Sequence, residues 1–438
     1  MSHEIGRALR DLEGRWPESR VGPSLARIAA LMNLLGDPQW SAPVIQISGT
    51  NGKGTTALII DGLLRAQGLR TGRYASPHLS EPRERINLDG APISQEDFAR
   101  VWAEIAPYVA MVDAELIDGI RLTAFEAMTG MAYACFADAP VDVMIIEVGM
   151  GGTWDATSVA DAQVAVFTPI DLDHTDYLGT TLTQIATEKA GIIKLNSQVV
   201  MADQEPEVAS VLLGRAGELG RPVVRAGRDF TVLTRRLAVG GQTISLESAG
   251  GPTPEIFLPL YGRVMAENAA LAVAAVEAFA GGRELEPDLI EDGFAEVVAP
   301  GRTERVQTGP PIVIDTCHNR QAVAATLETM AEAFAFDPQI AIWGMMADKD
   351  HDAVLEQLEP AISSLILTEA KTVRALSAGE LAERAAQYFP ENRLIISENL
   401  VDAIDTAVAL ADEAGPGAGI LIGGSAALAG EARRLLKG

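Results

Sequence analysis

The sequence predicts an α/β protein with two domains, each built on a mostly parallel sheet. Three observations support this fold class. A strand, a glycine-rich turn and a helix follow one another in PVIQISGTNGKGTTALII, which begins at Pro43. The continuous apolar run VDVMIIEVG is typical of a parallel strand covered on both faces. In the last third of the chain, apolar strands such as PIVIDTCHN and GILIGGSA alternate strictly with helical segments.

The remaining elements follow from local patterns along the chain. Helical spacing predicts helices over 95–109 and 122–136, and a hairpin is expected to turn at Gly240-Gly241. Pro300-Gly301 interrupts a helical pattern, so a domain boundary is predicted nearby. We expect an N-terminal domain over 1–298 and a C-terminal domain over 299–438.

Composition limits the classes of partner. The 438 residues carry 34 basic and 60 acidic side chains, for a formal charge of −26, which argues against a nucleic-acid or anionic-membrane surface. Two cysteines, Cys135 and Cys317, provide no disulfide framework, so a cytoplasmic location is expected. The charged N-terminal segment lacks the apolar core of a secretory signal, and no apolar run approaches the ~18 residues of a membrane span.

The glycine-rich turn departs from the standard phosphate-loop pattern G-x-x-x-x-G-K-[ST]. Gly54 follows Lys53 where Ser or Thr is usual, and Ile47 stands where the first glycine should be. The alternative is a structural turn. Lysine is scarce in this chain, however, and the strand and helix on either side favour a nucleotide loop, with Lys53 on the outer phosphates and the hydroxyl supplied by Thr55 or Thr56. This favours a P-loop ATPase-like N-terminal domain and a Rossmann-like, doubly wound C-terminal domain.

Polar clusters follow several predicted strands, where ligands bind in open α/β sheets. Glu147 ends one strand, and His174 follows another between Asp173 and Asp176. A carboxylate and a hydroxyl near a phosphate indicate a divalent cation. Histidine is an unusual Mg²⁺ ligand, so a loop histidine bonded to Asp173 is the alternative for His174.

The order of these motifs resembles a known family. SGTNGKGTT, SPHL, TAFE, EVGMGG with DAT, DHTDYLG, EKAGIIK, PGRTER, HN and DKD occur as in the folylpolyglutamate synthase / dihydrofolate synthase family of the Mur-ligase superfamily. The resemblance extends from about Ser24 to Gly424. The family's loop is G-T-N-G-K-G-[ST], which matches the departure noted above.

The resemblance implies a set of site residues. ATP would be bound by Asn51, Gly52, Lys53, Gly54, Thr55, Asn268, Arg302, Asp315 and His318. Magnesium would be bound by Ser76, Glu147, His174 and a carbamylated Lys189. The pterin site would comprise Thr123, Phe125, Trp154 and Asp155. Catalysis would depend on Lys53, Glu147, His174 and Lys189. From the residues alone, core packing remains open for Phe125, and a salt bridge remains open for Lys189.

The resemblance also implies the reaction and its partners. ATP is expected as co-substrate, with two Mg²⁺ ions and a K⁺ ion as a further candidate. The implied enzyme is an ATP-dependent acid–amino-acid ligase that joins L-glutamate to dihydropteroate or to reduced folates through an acyl phosphate. A monomer is expected.

The chain departs from the family pattern at several positions. Thr153 stands for Arg, Ser158 for Asn, and Val264-Met265 for a His-Gln pair, while Cys317 and Arg320 alter D-[GA]-A-H-N-P. These departures leave open a related ligase that acts on a non-folate carboxylate. A nucleotide-binding regulator without catalysis is opposed by the intact Lys53, and a generic P-loop hydrolase does not explain the second α/β domain.

Overall fold

The fold is taken from a computed structural model, which describes residues 3–16 and 22–437. The charged N-terminal segment, on which the expectation about a secretory signal rests, lies partly outside the described residues. Within the described residues, no helix is both long and apolar enough to cross a membrane.

Eight strands form the sheet that carries the glycine-rich loop. They are β1 Val44–Ser48, β2 Thr71–Tyr74, β3 Ile86–Leu88, β4 Ala91–Pro92, β5 Val143–Glu147, β6 Val164–Phe167, β7 Gln198–Met201 and β8 Val223–Arg225. Their order is β4-β3-β2-β5-β1-β6-β7-β8. From β2 to β8 neighbouring strands are parallel, whereas β3 and β4 are antiparallel at one edge. The strands β2, β5, β1 and β6 are therefore central, and their carboxyl ends lie side by side.

Helices cover both faces of this sheet. They are α1 His3–Glu13, α2 Ala26–Leu34, α3 Lys53–Ala66, α4 Gln95–Glu115, α5 Ala124–Asp138, α6 Thr175–Leu178, α7 Leu182–Lys189, α8 Pro206–Glu218, α9 Arg263–Phe279 and α10 Pro287–Ala295. One core packs α3, α9 and α10 against the sheet, and another packs α1, α2, α4 and α5 against the opposite face. This double coverage explains why β1 and β5 are buried along their whole length.

A small antiparallel sheet lies beside α9 and contains the predicted hairpin. Its strands are β9 Thr231–Ala238, β10 Gly241–Ser248, β11 Gly251–Pro252 and β12 Ile256–Leu258. The hairpin turns at Val239-Gly240, one residue earlier than predicted, because Gly241 already pairs with Ala238 in the ladder.

The last third forms a separate, doubly wound sheet of six strands. They are β13 Glu304–Thr308, β14 Pro311–Ile314, β15 Gln339–Trp343, β16 Ser364–Leu367, β17 Leu394–Ile396 and β18 Gly419–Gly423, in the order β13-β14-β18-β15-β16-β17. The helices are α11 Arg320–Ala333, α12 His351–Leu358, α13 Ala378–Ala385, α14 Leu400–Ala414 and α15 Ala426–Lys437. α14 and α15 cover one face, and α11, α12 and α13 cover the other.

The structure confirms the α/β class and shows where local patterns were incomplete. α4 runs to Glu115 rather than residue 109, because the buried positions Ile105, Val109 and Val112 continue its apolar stripe beyond Pro107. α5 begins after Thr123, whose hydroxyl accepts a hydrogen bond from the backbone of Glu126 in a capping box. The boundary at 298/299 stays a prediction.

Arg27 on α2 forms hydrogen bonds with the first turn of α5. Its side chain is 1% exposed and donates to both carboxylate oxygens of Glu126, at 3.0 and 3.2 Å, and to Asp118 at 3.1 Å. Replacing Arg27 by methionine should lower the free energy of unfolding by about 3–5 kcal/mol, because the buried Glu126 carboxylate loses its counter-charge. Chemical denaturation measures this. Arg7→Met, at a side chain that is 77% exposed, is the matched control, and equal midpoints would contradict the expectation.

Candidate active site

One large cavity lies where the first sheet faces the third. Its volume is about 1400 Å³, and residues of both sheets' loops line it. The central strands β2, β5, β1 and β6 deliver their following loops to this cavity at their carboxyl ends. Most of the predicted site residues line it: Asn51, Gly52, Lys53, Gly54, Ser76, Thr123, Phe125, Glu147, Trp154, Asp155, His174, Arg302 and His318.

The glycine-rich loop joins β1 to α3 as predicted. Gly49 and Gly52 have positive φ values of 144° and 89°, which the loop needs in order to turn into α3. Lys53 is the first residue of α3, and its Nζ donates to the carbonyl oxygens of Gly49 and Thr50, at 3.1 Å each. Burial lowers the pKa of Lys53, although the nearby Glu147 opposes this. The amine is thus held above the loop, at the N-terminus of a helix whose dipole favours an anion.

Glu147 ends β5 with its carboxylate buried against the loop. The side chain is 4% exposed, and Oε2 accepts a hydrogen bond from the backbone of Ser76 at 3.3 Å. A Cβ atom at Gly54 would lie 3.4 Å from the same oxygen, so a glycine after the lysine leaves this carboxylate room. Burial raises the pKa of Glu147, and Lys53 and Arg302 oppose the rise. A positive ion beside Glu147 would offset the cost of its buried charge.

Asp173 connects the two sheets' loops. Its carboxylate accepts from Lys349 Nζ at 2.8 Å and from Asn319 Nδ2 at 3.3 Å, and lies 3.9 Å from Nε2 of both His174 and His318. Burial alone would raise the pKa of Asp173, but His174 and Lys349 outweigh it and lower the pKa well below its usual range. The Asp173 carboxylate is therefore a fixed negative charge in the cleft.

His174 lies at the N-terminus of α6 with a positive φ of 52°. Burial lowers the pKa of its imidazole to about 4, against the attraction of Asp173. The ring is thus neutral at neutral pH, as a metal-ligating histidine must be. The alternative considered from the sequence, contact with Asp173, is also present, since the backbone N–H of His174 donates to Asp173 Oδ1 at 2.8 Å.

Lys189 is buried behind the phosphate loop and does not line the cavity. It ends α7, is 4% exposed, and donates from Nζ to the carbonyl of Gly49 at 2.7 Å. Burial, followed by repulsion from Lys53, lowers the pKa of Lys189 to about 7. No carboxylate partner is present among the described contacts of its amine, so the salt bridge considered from the sequence is not what binds it. Lys53 and Lys189 meet at the same Gly49 carbonyl.

The predicted pterin residues form one wall of the cavity. Phe125 lies over Gly149, where an added Cβ would be 2.4 Å from the Phe125 ring. Asp155 is buried and accepts from the backbone N–H groups of Met150 and Thr157, at 2.9 Å each. Burial raises the pKa of Asp155, which the hydrogen bond from Met150 opposes. Trp154 is half-buried and its backbone N–H lies 3.4 Å from Glu188. A flat ring fits between such aromatic and polar groups.

The third sheet contributes residues from the opposite side of the cleft. Arg302 donates to the Thr316 hydroxyl, and His318 Nδ1 lies 2.9 Å from the Thr316 carbonyl. Burial lowers the pKa of His318 to about 4. Asp315 does not line the cavity; its oxygens accept from the backbone of Thr303 at 2.7 Å and of Cys317 at 2.8 Å. In this structure Asp315 therefore shapes the turn that carries Arg302 and His318.

Two further predicted ATP residues are buried beneath the loop. Asn268 on α9 lies under Gly52, where an added Cβ would be 2.8 Å from Asn268 Oδ1. Within residues 3–16 and 22–437, the buried Asn268 Nδ2 has no hydrogen-bond partner. Thr55 is buried in the first turn of α3. A buried donor without an acceptor beside a phosphate loop is where a nucleotide acceptor fits.

Two departures from the family pattern, Ser158 and Thr153, are accommodated by local hydrogen bonds. Ser158 donates to the Gly152 carbonyl and accepts from Gln46 at 3.2 Å, so it fixes the glycine-rich turn after β5. Thr153 donates to the Glu188 carbonyl at 3.1 Å from an exposed position.

Some of the side chains near Glu147 are suitable ligands for a hard cation such as Mg²⁺. Glu147 supplies a buried carboxylate, and Ser76, whose backbone N–H donates to that carboxylate, carries a hydroxyl; both groups are oxygen ligands of the kind Mg²⁺ prefers. Across the described residues, no three His, Cys, Asp or Glu side chains are grouped as a metal site. The predicted set contains only two residues of those types, and the other two ligands are a serine and a modified lysine. The residues thus fit Mg²⁺ if Lys189 becomes an oxygen ligand.

Sequence reasoning did not assign two contacts that link the sheets. Lys349 belongs to the DKD motif, to which the sequence assigns no role. Its side chain is 8% exposed and forms a salt bridge with Asp173. Gln321 accepts a hydrogen bond from Asn51 of the phosphate loop at 2.6 Å. The scarcity of lysine could have indicated Lys349, whereas nothing local marks Gln321.

Comparison with known proteins places these features in a family. The chain matches the model of the Mur ligase middle domain over residues 120–276 and that of the Mur ligase, glutamate ligase domain over residues 301–426. It is 45% identical to a dihydrofolate synthase/folylpolyglutamate synthase of Mycobacterium tuberculosis, over 97% of this chain and 92% of that protein.

Solved structures agree along the whole chain. The M. tuberculosis folylpolyglutamate synthase complexed with ADP has a TM-score of 0.94 at 44% identity, covering 99% of this chain and 98% of that one. E. coli FolC in complex with DHPP and ADP has a TM-score of 0.86 at 30% identity, covering 100% and 98%. The chain therefore belongs to the dihydrofolate synthase/folylpolyglutamate synthase family of Mur ligases.

Proposed function

We propose that this chain is an ATP-dependent ligase that adds L-glutamate to dihydropteroate and to folates. The observation that carries this proposal is that the phosphate loop with Lys53 and the aromatic wall of Phe125 and Trp154 line the same cavity. A nucleotide and a flat heterocyclic acid can therefore bind in one space, with residues of the third sheet closing it. The relatives support folate substrates over a non-folate carboxylate, and they support a ligase over a regulator or a generic hydrolase.

The proposed reaction has two steps. The substrate carboxylate attacks the terminal phosphorus of ATP, which gives an acyl phosphate and releases ADP. The amine of glutamate then attacks the acyl carbon, phosphate leaves, and the new amide loses a proton. Phosphoryl transfer depends mainly on positioning and charge neutralisation. Lys53 and the N-terminus of α3 supply positive charge to the phosphates. Arg302 supplies positive charge from the connection that precedes β13.

We propose that Ser76, Glu147, His174 and carbamylated Lys189 would hold Mg²⁺, with two ions in all. Bound there, Mg²⁺ would neutralise charge that develops on the transferred phosphoryl group. The neutral imidazole of His174 and the buried carboxylate of Glu147 are consistent with this assignment. A K⁺ ion, a monomeric state and a cytoplasmic location remain predictions from the resemblance and the composition.

ADP release tests the function directly. We expect ADP to form when ATP is combined with dihydropteroate and glutamate, or with tetrahydrofolate and glutamate, and to stop when either partner is omitted or EDTA removes the metal. Excess magnesium after EDTA is the control and should restore turnover. ADP formation that is unchanged by folates would refute the proposal. Turnover with unrelated carboxylates only would favour a different amino-acid ligase.

A further inference from the structure

Leu79 connects the first sheet's loop to the third sheet. It lies between β2 and β3, three residues after Ser76, and its half-buried side chain packs against the core formed by α14, α15 and the third sheet. Its methyl carbons also lie 3.3 Å from the position of a Cβ added at Gly301, in the connection between the sheets. A leucine of the nucleotide-binding unit thus packs against the core of the other unit.

Gly430 on α15 forms the opposite side of this contact. A Cβ added at Gly430 would lie 1.9 Å from the carbonyl oxygen of Leu79, which is far inside any non-bonded contact. The atom it meets is backbone, so no rotamer change relieves the overlap. Glycine within a helix costs about 1 kcal/mol relative to alanine. Here the missing side chain lets α15 approach the loop.

The loop is stiff enough to transmit this contact. The Glu84 carboxylate accepts hydrogen bonds from the successive backbone N–H groups of Leu79, Ser80 and Glu81, at 2.9, 3.1 and 3.0 Å. At its other end, the loop presents the Ser76 backbone N–H to Glu147. A displacement of Leu79 would therefore move the residues beside the phosphate loop rather than being absorbed within a flexible segment.

We propose that the Leu79–Gly430 contact is a positioning contact for the ligase reaction. α15 positions the loop where the two sheets face each other across the cavity, and the positioned loop holds Ser76 against Glu147. Displacing α15 from Leu79 would move the loop, and with it Ser76, away from the geometry that phosphoryl transfer needs. The inference rests on the proposed function for its catalytic consequence, but its structural part does not.

Alanine at position 430 tests the contact. Gly430→Ala should lower the thermal midpoint, because the overlap with the Leu79 carbonyl is relieved only by moving the units apart, which outweighs the gain in helix propensity of about 1 kcal/mol. Small-angle X-ray scattering should show a larger radius of gyration, and kcat should fall roughly 10- to 100-fold, as misplacement of reacting groups does. Gly379→Ala is the matched control, since an added Cβ on α13 has no atom within 4 Å. It should leave all three readouts unchanged or slightly raise the midpoint.

Leu79→Ala tests the same contact by changing the residue on the loop. It removes the anchor without creating an overlap and should also lower kcat and raise the radius of gyration. Wild-type kcat and scattering in both variants would overturn the proposal. A lowered midpoint in Gly430→Ala with unchanged kcat per folded molecule would also overturn it, by showing a purely structural contact. If the wild-type chain lacks folate ligase activity, the proposed function fails, and scattering alone then decides whether this contact holds the units together.

Discussion

Replacing Lys53 by alanine should slow turnover by about 10²–10⁴ in kcat while leaving the chain folded. Lys53 starts α3 and is held over the loop by the Gly49 and Thr50 carbonyls, so its charge is already at the phosphate site before ATP binds. During transfer, negative charge redistributes over the oxygens of the phosphoryl group and of the departing ADP, next to the Lys53 ammonium. Loss of the ammonium therefore costs more free energy in the transition state than in the bound ground state.

The stability of the Lys53→Ala variant should change little. Two hydrogen bonds to loop carbonyls are lost, worth about 1 kcal/mol each, and an ammonium whose pKa is lowered by burial no longer has to be desolvated. Steady-state ADP release and thermal unfolding measure the two effects. Lys437→Ala, at the end of α15, is the control and should keep full turnover. Near wild-type kcat in Lys53→Ala would remove Lys53 from the phosphate site.

The parts of the site that were predictable are local in sequence. The phosphate loop depends on a strand, a glycine-rich turn and a helix that follow one another. Glu147 is the last residue of β5, and His174 lies in the loop that follows β6. Parallel neighbours bring those ends to one edge, so a correct fold class was enough to place them together. The TAFE segment was assigned through the family resemblance alone, and the structure adds that Thr123 and Glu126 form the capping box of α5.

The parts that were not predictable depend on contacts between distant segments. Lys349 pairs with Asp173 across 176 residues, and Asn51 reaches Gln321 across 270. Neither pair has a local pattern, since it exists only when the two sheets face each other. Asp315 illustrates a related limit. The family resemblance implies that Asp315 binds ATP, but its oxygens accept hydrogen bonds from the backbone of Thr303 and Cys317, so that assignment stays a prediction.

The second large expected effect on activity comes from replacing Lys189. An amine that is 4% exposed, close to Lys53, and bonded to the Gly49 carbonyl is disfavoured as an ammonium by desolvation and by like charge. Accordingly its pKa is lowered to about 7, so much of it is a neutral nucleophile at neutral pH. The neutral nitrogen can attack CO₂, forming an N–C bond and releasing a proton to give a carbamate. The product is an anion with two oxygens, which suits a predicted metal-ligand set whose one other carboxylate is Glu147.

Lys189→Ala should lose most of its activity, by about 10²-fold or more, because the carbamate would no longer help to hold the Mg²⁺ that neutralises charge at the reacting phosphate. Formate or acetate should restore part of that activity, because a short carboxylate can occupy the space that the side chain leaves. The same acids should not rescue Lys53→Ala, which lacks a cation rather than an anion. Lys189→Arg should remain inactive, since a guanidinium forms no carbamate. Full activity of Lys189→Arg, or a bare amine at Lys189 in a high-resolution map of metal-bound enzyme prepared with bicarbonate, would refute the carbamate.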